Sequence, residues 1–190
     1  MPDKKVSDLK ATFKSRLWLF LAIVPTVFVS DFVTKLIVRR TMTPYGETIS
    51  IVEDLIRLRF IYNEGLVFGL KLGLPSKWIL ILVSLSVAVF LAGYIFLSDY
   101  DDLKGLISLN LIVGGALGNL YDRIVFGRVV DFIEMGIKEL TWPVYNVADI
   151  AITCGAILLA LRLLFYSEKT GDTTKPELQP QQHGKNEVVP

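Results

Sequence analysis

Residues 114–149 read GGALGNLYDRIVFGRVVDFIEMGIKELTWPVYNVAD. An apolar, glycine-rich segment runs into Asn119, Asp122 and Arg123. Asp131 then stands alone inside VVDFI, and Asn146 and Asp149 open the next apolar segment. An ionisable group at membrane depth costs at least ~2.5–3.5 kcal/mol on insertion scales, and by default it marks function. Three aspartates and an arginine within a few turns of two apolar segments make this stretch the candidate active site. The rest of the chain is then expected to hold it in a bilayer.

Composition supports a membrane setting. Apolar residues make up 52% of the 190, charged residues 21%, and the mean hydropathy is +0.50. A soluble domain sits near 25% charged with its apolar residues interspersed; here they are gathered in blocks. The length suits one domain. A formal net charge of +1 and no basic stripe give no reason to expect a nucleic-acid partner. Cys154 is the single cysteine, so it has no intramolecular disulfide partner and is expected to pack between helices as a small residue. The one histidine, His183, lies in a polar tail. No zinc site, other metal site, cofactor or His-based triad is expected.

Working outward, residues 1–16 are polar and basic, and Leu17 to Val38 form a first apolar span broken by Ser30, Asp31, Thr34 and Lys35. A basic start before an apolar run also fits a cleaved signal peptide, but this run has spanning length and ends in no A-x-A-like site. It is expected to be retained. Asp31 and Lys35 lie i, i+4 on one helix face, and the plain expectation is a self-neutralised pair with Lys35 snorkelling outward. In 39–76, ISIV and IRLRFIYN alternate as strands do, and NEG at 63–65 signals a turn. Residues 66–74 are apolar but too short to span. The region 39–76 is therefore expected to be a small sheet and an interfacial segment on the membrane surface. Trp78–Leu97, Leu106–Phe126 and Val147–Tyr166 give three more spans. Gly114, Gly115 and Gly118 allow close helix approach in the third. Residues 167–190 read as a disordered tail. The expected class is a mainly α membrane protein, a four-helix bundle with a small β-sheet.

Four spans place the end of the first and third and the start of the second and fourth on one face. Asp31, Lys35, Asn63, Asn119, Asp122, Arg123, Asp131, Asn146 and Asp149 all fall there. Counting Lys and Arg barely discriminates the two faces; the basic N-terminus favours both termini in the cytoplasm. No serine, cysteine or lysine nucleophile stands beside a base. Two carboxylates sharing a proton can hydrolyse an amide, one taking a proton from water and the other donating to the carbonyl oxygen. Asp31 has Lys35, and Asp122 has Arg123 and Asn119, so both look braced. Asp131 and Asp149 are the least neutralised locally and are the better dyad. The bland alternatives are that Asp149 caps its helix and that Asp131 ends a strand facing water.

DFVTK at 31–35, NEGLVF at 63–68, GGALGNLYDR at 114–123, GRVVDF at 127–132 and WPVYNVAD at 142–149 occur in order. With four spans, this chain resembles the lipoprotein signal peptidases, the type II signal peptidases of bacteria. The resemblance implies an aspartyl endopeptidase of the inner membrane, with Asp131 and Asp149 as its dyad and an extracytoplasmic active face. The implied substrate is a prolipoprotein whose cysteine carries diacylglycerol, cleaved on the N-terminal side of that cysteine. It also implies that Asn63, Gly65, Asn119, Arg123 and Asn146 line the site, and that Asp31, Lys35 and Asp122 brace it. Membrane lipid is the other expected partner, and the protein is expected to be a monomer. Leu66, Val67 and Tyr145 depart from the family's usual residues. A proton- or cation-coupled transporter would also keep carboxylates in the membrane, but these acids gather at one face with no inverted repeat. A scaffold would explain the glycines and leave Asp131, Asn146 and Asp149 unexplained.

Overall fold

The structure, a computed structural model, describes residues 2–53, 55–65, 76–98, 102–137 and 140–171, the side chains of 2–12, 76–77 and 166–171 excepted. The elements run α1 (Pro2–Thr41), β1 (Ile49–Val52), β2 (Ile56–Asn63), α2 (Ser76–Leu97), α3 (Leu103–Phe126), β3 (Val129–Ile137), β4 (Leu140–Thr141) and α4 (Val147–Gly171). Segments Phe13–Thr41, Trp78–Leu97, Leu103–Phe126 and Val147–Phe165 are long and apolar enough to cross a membrane. The protein is a multi-pass membrane protein, mostly helical with a small sheet. The expected interfacial segment at 66–74 and the tail from 172 onward lie outside the described residues.

α3 is the axis of the bundle. Its apolar window is 67% buried, against 17% for each of the other three, and α1, α2 and α4 all pack on it. Glycine makes that possible. A Cβ on Gly115 would stand 2.4 Å from the backbone oxygen of Ala148, and one on Gly118 would stand 2.6 Å from Asp31 Oδ2. Backbone contact this close is the small-residue packing on which helix association in lipid relies. Cys154 does not share in it. Ala148, Ala151 and Gly155 are buried, whereas Cys154 is exposed on another face of α4. The expectation that it packs between helices fails because the smaller Gly155, one position on, fills the seam.

Both ends of α3 are fixed by their own residues. Asp102 caps its start, accepting from the N–H of Gly105 at 2.8 Å, and also accepts from Arg162 Nε of α4 at 2.8 Å. Gly127 closes the other end at φ 73°, donating its N–H to Arg123 O. Such a left-handed close suits glycine and stops the helix. At the end of α2 that precedes Asp102, the buried Arg16 donates to Ile95 O, satisfying a terminal carbonyl of that helix.

The four strands form one antiparallel sheet in the order β1-β2-β3-β4. Half of it comes from 129–141, beyond the 39–76 region expected to supply it. β3 hides from a periodicity search because Val129, Val130, Asp131 and Phe132 are all buried, so no polar face alternates with an apolar one. Val38 of α1, Phe60 of β2, and Val130 and Phe132 of β3 form the core beneath the sheet. In the β2–β3 ladder Ile61 lies opposite Asp131 and Asn63 opposite Val129, with a register shift between Leu58 and Ile61. An irregularity of this kind re-aims side chains locally, here beside Asp131.

Candidate active site

The chain enters α4 through a short bridge. Tyr145 pairs with Ile133 of β3, donating its N–H to Ile133 O at 3.0 Å and accepting at its own oxygen from the Ile133 N–H at 2.8 Å. This fixes Asn146 against Asp131 and starts α4 there. Asn146 and Asp149 then cap the helix reciprocally. The Asp149 N–H donates to Asn146 Oδ1 at 3.0 Å, and the Asn146 N–H donates to Asp149 Oδ2 at 3.2 Å. A side chain at the helix entrance and one three residues on thus satisfy each other's backbone donors. Asp149 does cap its helix, but its other oxygen is engaged elsewhere: Oδ1 accepts from Asn119 Nδ2 at 2.7 Å.

Asp131 lies on β3, only 1% exposed; it does not face water. Asn146 Nδ2 donates to its Oδ1 at 2.6 Å, and Asn63 Nδ2 to its Oδ2 at 2.9 Å. Burial, with the Asp149 charge adding to it, pushes the Asp131 carboxyl up from 3.8 to about 6, against the opposing pull of the Asn63 and Asn146 hydrogen bonds and the more distant Lys35. Asn146 therefore touches both carboxylates, one through its amide and one through its backbone. Asn63 is oriented by Gly65, whose N–H donates to Asn63 Oδ1 at 2.7 Å. Gly65 holds φ 74°, and a Cβ there would lie 2.1 Å from Leu80 of α2.

Behind the two aspartates sits a buried charge cluster. Lys35 Nζ meets Asp31 Oδ2 at 2.7 Å, Asp122 Oδ2 at 3.1 Å and Asn119 Oδ1 at 3.0 Å. The i, i+4 pair exists, but Lys35 does not snorkel: it is 1% exposed, drawn inward because a single carboxylate leaves two of its three donors unused. Asp31 also accepts from the Ala148 N–H at 2.9 Å, anchoring α4 to α1. Asp122 pairs with Lys35 and Arg39 and accepts from the Val130 N–H at 3.1 Å. Its sequence neighbour Arg123 points elsewhere, since consecutive helix residues do not face each other. Arg123 donates to Asn119 O at 3.4 Å and stands within electrostatic reach of Asp149, Asp131 and Asp122. Arg39 escaped the sequence analysis, although 31, 35 and 39 form an i, i+4 series that would have shown it.

The structure thus gathers Asn63, Asn119, Asn146, Asp131 and Asp149 into one hydrogen-bonded set, with Gly65, Asp31, Lys35 and Asp122 supporting it and Arg123 beside it. A cavity of about 520 Å³ opens against it, lined by Asp149, Ile150, Thr153 and Cys154 of α4 and by Met135, Trp142 and Tyr145. Burial against this wall raises the Tyr145 hydroxyl above its ordinary value. Among the described residues no group of three or more His, Cys, Asp or Glu side chains is placed to hold a metal ion.

The family profile described as signal peptidase (SPase) II matches residues 23–165. A lipoprotein signal peptidase of Aquifex aeolicus is 38% identical over 164 residues, covering 85% of this chain and 90% of that protein. One of Pseudomonas syringae pv. tomato is 36% identical over 176 residues, covering 91% and 98%. Two solved structures, each described as a bacterial membrane enzyme, superpose with TM-scores of 0.69 and 0.70 at 26% and 28% identity. They cover 82% and 76% of this chain and 92% of their own.

Proposed function

The chain belongs to the signal peptidase II family, a family of lipoprotein signal peptidases, and on that premise we propose that Asp131 and Asp149 are the catalytic dyad of an aspartyl endopeptidase. The substrate is a prolipoprotein carrying a diacylglyceryl-cysteine. The bond cut lies on the N-terminal side of that cysteine. One observation carries the dyad: Asn146 hydrogen-bonds both carboxylates, so the two acids are held as a unit.

Their surroundings divide the labour. Asp149 borders the cavity in the first turn of α4, where a helix N-terminus favours negative charge, and acts as the base. Asp131 is enclosed by protein and keeps the shared proton. Asp149 takes a proton from water as the water oxygen attacks the scissile carbonyl carbon, and Asp131 gives its proton to the carbonyl oxygen. In the neutral gem-diol that results, Asp149 returns its proton to the amide nitrogen, the C–N bond breaks, and Asp131 recovers a proton from a diol hydroxyl. The dyad ends as it began, with no metal or cofactor required. Arg123 and Asn63 hold substrate backbone beside it. The enzyme acts as a monomer in the inner membrane, with both termini cytoplasmic and the dyad at the extracytoplasmic face.

The test is a gel-shift assay in detergent with diacylglyceryl-modified prolipoprotein. Wild type should cleave; Asp131→Asn and Asp149→Asn should not, while both remain folded. Turnover by either variant at the wild-type rate would sink the dyad. Chelators should leave the rate unchanged, and loss restored by added metal would refute the metal-free step.

A further inference from the structure

Three carboxamides present Nδ2 to the two aspartates: Asn63 and Asn146 to Asp131, and Asn119 to Asp149. An amide does so only when its oxygen is turned the other way, and each oxygen here faces a group with hydrogens to give. Asn63 Oδ1 faces the Gly65 N–H, and Asn146 Oδ1 faces the Asp149 N–H. A backbone N–H cannot be mutated away without proline. Asn119 differs. Its oxygen accepts from Asn146 Nδ2 at 3.1 Å and from Lys35 Nζ at 3.0 Å. The Asn146 amide is itself able to turn, whereas an ammonium has three donors and no acceptor.

We propose that Lys35 is a positioning residue for the dyad: its ammonium locks the Asn119 carboxamide in the one orientation that offers Nδ2 to Asp149. The stoichiometry supports this. Three donors meet three acceptors, Asp31, Asp122 and Asn119; with Arg39 on Asp122 the two cations already balance the two carboxylates, and the third donor of Lys35 is spent on Asn119. Without the lock, Asn119 can turn its oxygen toward Asp149, a repulsive contact for the anion and a favourable one for the acid. Lys35 is 1% exposed and touches neither the cavity nor Asp149 directly, so its hydrogen-bonded path to Asp149 runs through Asn119, beside the longer-range pull of its charge on Asp131. The charged groups around Asp149 are Asp131 from β3, Arg123 and Asp122 from α3, and Asp31 and Lys35 from α1; Tyr145 shares its cavity wall.

The inference rests on Asp149 being the base of the proposed reaction, and the experiment separates the two claims. Lys35→Met alone would strand the buried Asp31 carboxylate, so the variant is D31N/K35M. It leaves Asp122 paired with Arg39 and keeps an acceptor for the Ala148 N–H. In detergent with diacylglyceryl-modified prolipoprotein, kcat should fall by about 10–100-fold with KM little changed. The acid limb of the pH–kcat profile should move to higher pH by about one unit. D31N alone should keep the wild-type limb. A merely structural role would lower Tm and the active fraction without moving the limb. A folded D31N/K35M with the wild-type limb overturns the proposal, as does a limb moved equally by D31N alone. If that double variant does not fold, D31N/K35L, which likewise removes the donor to Asn119, replaces it with the same two outcomes decisive. An infrared carboxyl titration, assigned by loss of the band in Asp149→Asn, reads the same shift without turnover. If wild type fails to cleave, the proposed function falls, and this titration still decides whether Lys35 acts on Asp149.

Discussion

Asp131 binds its proton more readily in the folded protein than in the unfolded chain, and that difference belongs to stability as well as to the proposed catalysis. With its folded value raised from 3.8 to about 6, the native state holds more protons than the unfolded state between those limits, so stability falls as pH rises. The contribution is complete below pH ~3.8 and gone above about 6, a loss of about 3 kcal/mol at 1.36 kcal/mol per unit. Asp131→Asn should flatten the decline of Tm across that window, measured by melting in detergent; an unchanged slope would place the proton elsewhere. In the proposed mechanism the same proton is donated to substrate, so kcat/KM should drop as pH rises through about 6 in the free enzyme. A profile still climbing past pH 7 would reverse the roles of the two acids. Sequence pointed to these acids because, Arg128 apart, no cation lies near them along the chain. It placed Asn63, Asn119 and Asn146 at the same face but did not show which acid each one holds, since Asn63 lies 68 residues from Asp131 and Asn119 30 residues from Asp149.

Among the elements, the α3–α4 seam ties packing to the site. Gly115 presses on the carbonyl of Ala148, the residue before Asp149. Gly115→Ala should cost about 1–3 kcal/mol by overpacking, and it should lower cleavage as well, because a shift of Ala148 carries Asp149 away from Asn119. Gly93 of α2 has nothing within 4 Å of its added Cβ, so Gly93→Ala is the control and should be neutral in both Tm and rate. Equal losses from the two variants would deny the seam its part. Apolar runs of spanning length made the helices legible in the sequence, and alternation did the same for β1 and β2. β3 was not legible, because a strand buried on both faces loses its period. With it went the finding that the sheet joins two distant connections.

For the molecule as a whole, the sorting of polar residues to one face was legible because four spans leave little topological choice. Orientation was not, and the structure supplies a physical reason. Three arginines of the connection between the first two spans, which offset the basic N-terminus in the count, are paired within the chain: Arg39 meets Asp122 at 3.3 Å, and Arg57 and Arg59 meet Glu134 at 2.9 and 3.0 Å. Bound into the site and sheet, they report little about which side they occupy. The proposed orientation is open to direct labelling in a Cys154→Ser background. An impermeant maleimide should react with Leu140→Cys, on the exposed sheet edge, in intact cells. It should reach Gln181→Cys only after lysis. The reverse pattern would turn the protein over.

The hydrogen bond from the Ala148 N–H to Asp31 closes across 117 residues. At ~5–20 residues per second of synthesis, roughly 6–23 s separate the appearance of its two ends on the ribosome. During that interval the first helix waits in the bilayer with its acid already neutralised by Lys35 one turn away, a pairing that needs no other part of the chain. Asp149 arrives last, after every group that will hold it. With Asp149 in the proposed dyad, a nascent chain has no hydrolytic centre until its fourth helix enters, and the order of translation acts as a timer on the activity.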